Sequence, residues 1–250
     1  MRMKSIKLWV GSHGDAFREL PTVGNVPNVD AEVANPRAVA AGKRFIDKNL
    51  TTSYPGNPES IFYEERLAAE NVRKSLGYYA TLDMYSLKDH GVRSAAISAE
   101  RGVSGSVLGF LKHIGLTALV DTDFGINSSA TNASTFDIAS GEVDAAMRGR
   151  LLTGLDDLAN AEEPRTAAVG DFRWFRYAKG LHVDTITPDQ YQPAAELDLS
   201  TPLPKHVVDA AGLSGDSFYL LNWREQPTED GYWGEIVTEI DAPDSTHWPA

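Results

Sequence analysis

His13 and Arg44 are the side chains whose type and setting first suggest chemistry. His13 stands in Gly11-Ser12-His13-Gly14-Asp15, directly after the short apolar run Ile6 to Val10. A buried strand that runs into a glycine-flanked polar turn delivers its last residues to the carboxyl edge of a sheet, where α/β proteins place their chemistry. The chain has no cysteine, so disulfides, thiol nucleophiles and cysteine-ligated zinc are excluded. Any metal must be held by histidine and carboxylates. His13 is therefore either a ligand or a hydrogen-bonding residue of the turn. Arg44 opens the run Arg44-Phe45-Ile46-Asp47-Lys48-Asn49-Leu50-Thr51-Thr52. Its planar guanidinium suits bidentate pairing with an oxyanion. An ion pair with Asp47 or Asp83 is the structural alternative. Thr51 and Thr52 can hydrogen-bond a ligand but bring it no charge.

Other signatures are missing. Gly102-Val103-Ser104-Gly105-Ser106 ends in serine where a nucleophile elbow needs glycine. There is no Walker-type or dinucleotide-type glycine loop. The net charge of −12 argues against nucleic acid and against an anionic membrane surface, both of which need a basic face. A small anion would need a local basic pocket to overcome that charge. The opening residues lack a signal-peptide apolar core and no window reaches a membrane span, so the expected compartment is the cytoplasm. With 42% hydrophobic residues over 250 positions, the chain can bury a substantial core.

An alternation of strands and helices must position His13 and Arg44. Strands are expected at 6–10, 29–34, 79–85, 95–98, 117–120 and 135–138. Helices are expected at 58–76, 104–114 and 142–158, the first with Ile61, Leu67, Ala68, Val72 and Leu76 on its apolar face and Gly77 at its end. That order implies a mostly parallel sheet with helices on both faces. Beyond Asn160 the texture changes to short aromatic and β-branched runs between proline and glycine, at 172–177, 182–186, 217–221 and 235–240. The expected division is an α/β domain over 1–165 and a small β-rich domain over 166–250. Trp223, Tyr232 and Trp233 are read as core of that second part, with a partner or ligand surface as the alternative.

Five pieces carry a resemblance: Val10 to Ala16, Ala34 to Val39, Arg44 to Gly56, Tyr63-Glu64-Glu65-Arg66, and Leu82 to Ser86. In this order and at these spacings they resemble the succinylglutamate desuccinylase/aspartoacylase family, zinc-dependent amidohydrolases on a carboxypeptidase-like fold. Asn35-Pro36-Arg37-Ala38-Val39 is the most specific piece, and the resemblance spans roughly residues 5–160. It implies an α/β zinc-carboxypeptidase-like fold, with a smaller second domain. It also implies zinc, held at the positions of His13, Ala16 and Tyr85, and a small N-acyl amino acid as substrate. Only His13 of those three matches. Arg44 matches the arginine that polarises the scissile carbonyl. Thr51 and Thr52 occupy the positions of the asparagine and arginine that grip the substrate carboxylate, and Asn49 replaces an aspartate. Asp137 lies nearest the position of the general base, one methylene shorter than the family's glutamate; capping or orienting its turn is the alternative.

The scaffold residues are thus kept and the catalytic ones changed. The reading is a ligand-binding protein or pseudoenzyme on this fold, without family-type zinc hydrolysis. The alternative is an active metal-dependent amidohydrolase or deacylase with a rebuilt site around His13, Asp15 and Arg44. Glu19, Asp83, Asp89 or His90 are further candidate ligands, and an oxygen-rich set of that kind suits magnesium or manganese better than zinc. A purely structural role in an oligomer is a third reading.

Overall fold

A computed structural model of the chain describes residues 4–14, 25–86, 96–99, 104–121, 134–139, 145–185, 199, 201–215, 217–221 and 231–242. The described strands form one nine-stranded sheet, in the order β2-β1-β3-β6-β4-β5-β7-β9-β8. These are β1 (Ile6–Val10), β2 (Val29–Val33), β3 (Ala80–Ser86), β4 (Ala96–Ala99), β5 (Ala118–Asp121), β6 (Ser134–Ala139), β7 (Arg173–His182), β8 (Phe218–Leu221) and β9 (Tyr232–Ile240). Five of the eight pairings are parallel, as the alternation implies. The exceptions are β4 with β6, and β9 with both of its neighbours.

Alternation along β1 explains the two layers. Ile6, Leu8 and Val10 share one face with Ala80, Leu82 and Met84 of β3. They pack against α3 (Gly105–His113) and α4 (Ala145–Asn160) through Val107, Phe110, Leu111, Leu151, Leu155 and Leu158. Lys7 and Trp9 point the other way, toward α2 (Tyr63–Ser75). Lys7 is buried between the carboxylates of Asp30 (2.9 Å) and Glu32 (2.8 Å), and its ammonium lies over the Trp9 ring. The sheet is therefore covered on both faces.

The clearest sequence helix is shorter than expected, and its buried stripe is different. Residues 58–62 are turns, because Asn57 Oδ1 accepts from Glu59 N–H and Ser60 Oγ accepts from Phe62 N–H. Such side chains compete with helical hydrogen bonding. The helix begins at Tyr63, whose amide is capped by Asp47 Oδ2 at 2.8 Å. Ile61 is 85% exposed and Leu76 55% exposed, so neither is core. The stripe facing the sheet is Glu64, Ala68, Asn71 and Ser75. Polar residues are tolerated there because each is hydrogen-bonded. Asn71 Nδ2 donates to Ala34 C=O and Tyr54 Oη, and Ser75 Oγ donates to Asn71 C=O while accepting from Trp9 Nε1.

The boundary expected near residue 165 falls in the connection between α4 and β7, and the strands beyond it continue the same sheet. The runs at 172–177 and 182–186 belong in part to one long strand, β7. A short helix not foreseen from the sequence, α5 (Lys205–Ala210), lays Val207 and Val208 against Leu181, Leu220 and Ile236. Phe175, Tyr219 and Val237 pack on the opposite face with Ala118 and Val120. Among the described residues no helix is long and apolar enough to cross a membrane.

Candidate functional site

The site is built at the carboxyl end of β1. Gly11, at φ +71°, turns the chain out of the strand in a conformation that suits glycine. The next three residues each reach a different element. Ser12 Oγ, fully buried, lies 2.7 Å from both oxygens of the Asp83 carboxyl on β3. His13, 2% exposed, reaches the loop after α1 (Pro36–Ala41), where its Nε2 lies 3.3 Å from Asn49 Oδ1. Gly14 donates its amide to the Arg44 carbonyl at 3.3 Å. A Cβ on Gly14 would stand 2.2 Å from the backbone carbon of Ala38, so only glycine permits this approach to α1.

The His13 ring is tied to this loop through Asn49. Asn49 Oδ1 also accepts from Thr51 N–H at 3.0 Å and Thr51 Oγ1 at 2.8 Å. An amide oxygen has no proton to give, so His13 Nε2 is the donor in this contact. Thr51 is thus engaged within its own loop. Thr52 is exposed and donates to Asn49 C=O at 3.1 Å.

Arg44 is the outlier of the site. It is 6% exposed, its Nε and Nη1 are fully enclosed, and its guanidinium makes no hydrogen bond or ion pair with a described residue. The structural alternative fails among these residues, since Asp47 caps Tyr63 and Asp83 is held by Ser12. Enclosing a guanidinium without a partner costs several kcal/mol, on the order of 3–5 when a buried pair is broken. A charge kept in place at that cost makes Arg44 a candidate binding residue.

The loop bearing Arg44 is clamped from α2. The buried carboxylate of Glu64 accepts the backbone amides of Ile46 (2.6 Å), Asp47 (2.9 Å) and Lys48 (3.1 Å), and the Asn35 amide at 3.4 Å. Asn35 in turn caps α1 through Ala38 N–H. The sequence reading used Glu64 within the piece Tyr63-Glu64-Glu65-Arg66 and missed this role. The cue was its place, i−4 from Ala68 on the buried stripe.

Asp83 is fully buried, and burial raises its pKa from 3.8 to about 7, against the opposing effect of the Ser12 hydrogen bond. Its register partner on β6 is Asp137, so the sheet brings this residue to the level of the site. Tyr85 follows on β3. Ala16, Asp15, Glu19, Asp89 and His90 lie outside the described residues.

The donor set does not fit zinc as the resembled family holds it. Of the three ligand positions, only His13 carries an imidazole, Ala16 has no donor, and Tyr85 carries a phenol in place of an imidazole. Among the described residues no three His, Asp or Glu side chains converge on one point.

The sequence matches no family model and no curated protein. Solved structures do match. The succinylglutamate desuccinylase of Chromobacterium violaceum superposes with a TM-score of 0.70 at 15% identity, over 97% of this chain and 86% of that one. The enzymes of Vibrio parahaemolyticus and Vibrio cholerae give TM-scores of 0.62 and 0.61 at 14% identity, each over 96% of this chain, and over 82% and 84% of theirs. The chain therefore has the carboxypeptidase-like α/β fold of the succinylglutamate desuccinylases, over nearly its whole length.

Proposed function

We propose that this protein binds a small carboxylate-bearing ligand on a succinylglutamate desuccinylase fold, without hydrolysing it by a zinc mechanism. The observation that carries the reading is Arg44, a buried guanidinium whose Nε and Nη1 meet no acceptor among the described residues. A carboxylate would supply the missing acceptors through charge-assisted hydrogen bonds. The changes at Ala16, Tyr85, Thr51 and Thr52 support binding over turnover, because they remove two metal donors and the second anchoring arginine. The matched structures are succinylglutamate desuccinylases, so succinate and N-succinylglutamate are the natural probes. Neither nucleic acid nor a membrane is a proposed partner, and the cytoplasm is the proposed compartment, on the charge of −12 and the lack of cysteine.

A metal-dependent deacylase is the second reading. The retention of His13 at the first ligand position favours it, because an imidazole is a common metal ligand. Metal content by mass spectrometry, on untagged protein purified without chelators, separates the two. The first reading expects no stoichiometric metal and no release of succinate from N-succinylglutamate. Near-stoichiometric zinc or manganese that is lost in His13→Ala would replace it with the second.

A further inference from the structure

We infer that Glu64 is the positioning residue of this site, holding the enclosed Arg44 in place by gathering the backbone of its loop. The inference rests on the anion-binding reading only for its consequence, not for its geometry. Glu64 sits in the first turn of α2, and its side chain points at the loop rather than at solvent. One carboxylate collects three consecutive amides, those of Ile46, Asp47 and Lys48. Those residues lie between Arg44 and Asn49, the two loop residues that meet the His13 turn. Three parallel N–H groups converging on one point form a cradle for an anion. Here the protein fills that cradle with its own side chain. The loop answers with Asp47, which caps the first amide of α2, and with Lys48, which pairs with Glu65 and lies over the Phe62 ring. Helix and loop thus clasp each other at both charges.

The length of the side chain matters. Glutamine keeps one acceptor oxygen but turns an N–H₂ toward backbone donors, so at least one amide loses its partner. Aspartate keeps both oxygens but withdraws them by a methylene. Either change frees the loop at 46–48 and lets the Arg44 backbone leave Gly14, to which it is hydrogen-bonded. The enclosed guanidinium then has a path to water, which its lack of acceptors favours.

The test is NMR on Glu64→Gln with selective ¹⁵N-arginine labelling, and amide exchange at residues 46–48. In the wild type, the enclosed Arg44 Nε–H gives a dispersed, slowly exchanging signal. In Glu64→Gln that signal moves to the position of solvent-exposed arginines, and protection at 46–48 falls by at least about tenfold. Glu64→Asp serves if Glu64→Gln does not fold, and it shifts the signal in the same direction. A lower unfolding midpoint with the Arg44 signal unchanged would show a merely structural role and overturn the inference. The ligand arm is separate. Succinate binding weakened at least about tenfold in either variant supports the positioning role. If the wild type binds no succinate, the anion reading falls while the Arg44 signal still decides the role of Glu64.

Discussion

Asp83→Asn is predicted to stabilise the protein in alkaline solution and to lose that advantage in acid. Asp83 is fully enclosed and its carboxyl is bonded by one hydroxyl, Ser12. Burial raises its pKa from 3.8 to about 7. The folded state therefore holds this proton more tightly than the unfolded chain does. Stability from the group is complete below 3.8 and is lost as pH rises through about 7. Each pH unit across that window is worth about 1.4 kcal/mol, so the whole span amounts to about 4 kcal/mol as a ceiling. Asparagine is nearly isosteric, still accepts from Ser12, and never ionises. The difference between variant and wild type should thus grow by about 2–4 kcal/mol between pH 4.5 and pH 8.5. Urea unfolding followed by tryptophan fluorescence measures it directly, provided the slopes of the two proteins agree. A pH-independent difference would refute the reasoning, because it would mean that Asp83 is ionised throughout or is relieved by a cation.

Arg44→Met should abolish succinate binding and raise stability by about 1–3 kcal/mol, since it removes an enclosed charge that lacks a protein partner; a loss of stability in urea unfolding would mean that the guanidinium has a structural partner after all. His113 should confer a small pH dependence of the opposite sign. Burial first, and the Arg165 guanidinium beside its Nδ1 second, hold its pKa below 6.5, while its Nε2 lies 3.0 Å from Thr153 Oγ1. That stability is complete above 6.5 and is lost as pH falls through the lowered value. The group is partly solvated, so replacing it in His113→Gln should flatten the pH dependence of the unfolding free energy between pH 5 and 7.5 by less than about 1 kcal/mol. An unchanged profile would assign the acid response elsewhere.

The sheet was legible because its strands are apolar and separated by turn residues, and β1 through β6 fall within a residue or two of where periodicity placed them. The start of α2 was not, because Asn57 and Ser60 satisfy their own neighbours and hold residues 58–62 in turns. The apolar face assigned to that helix was also displaced. A stripe of Glu64, Asn71 and Ser75 reads as polar surface until its hydrogen-bond partners are known. For the site, residue type and spacing brought out His13 and Arg44, and the fold sets the exit of β1 against the loop of Arg44. Three things were hidden in the sequence. The lack of a partner for Arg44, the clamp by Glu64 and the bond between Ser12 and Asp83 all depend on contacts between residues far apart in the chain.

Calorimetric titration of metal-free protein with succinate, alongside Arg44→Met, tests the central claim most directly. Exothermic binding by the wild type that is lost in the variant is the predicted result. No binding by the wild type, equal binding by both, or binding that appears only after zinc is restored would contradict it.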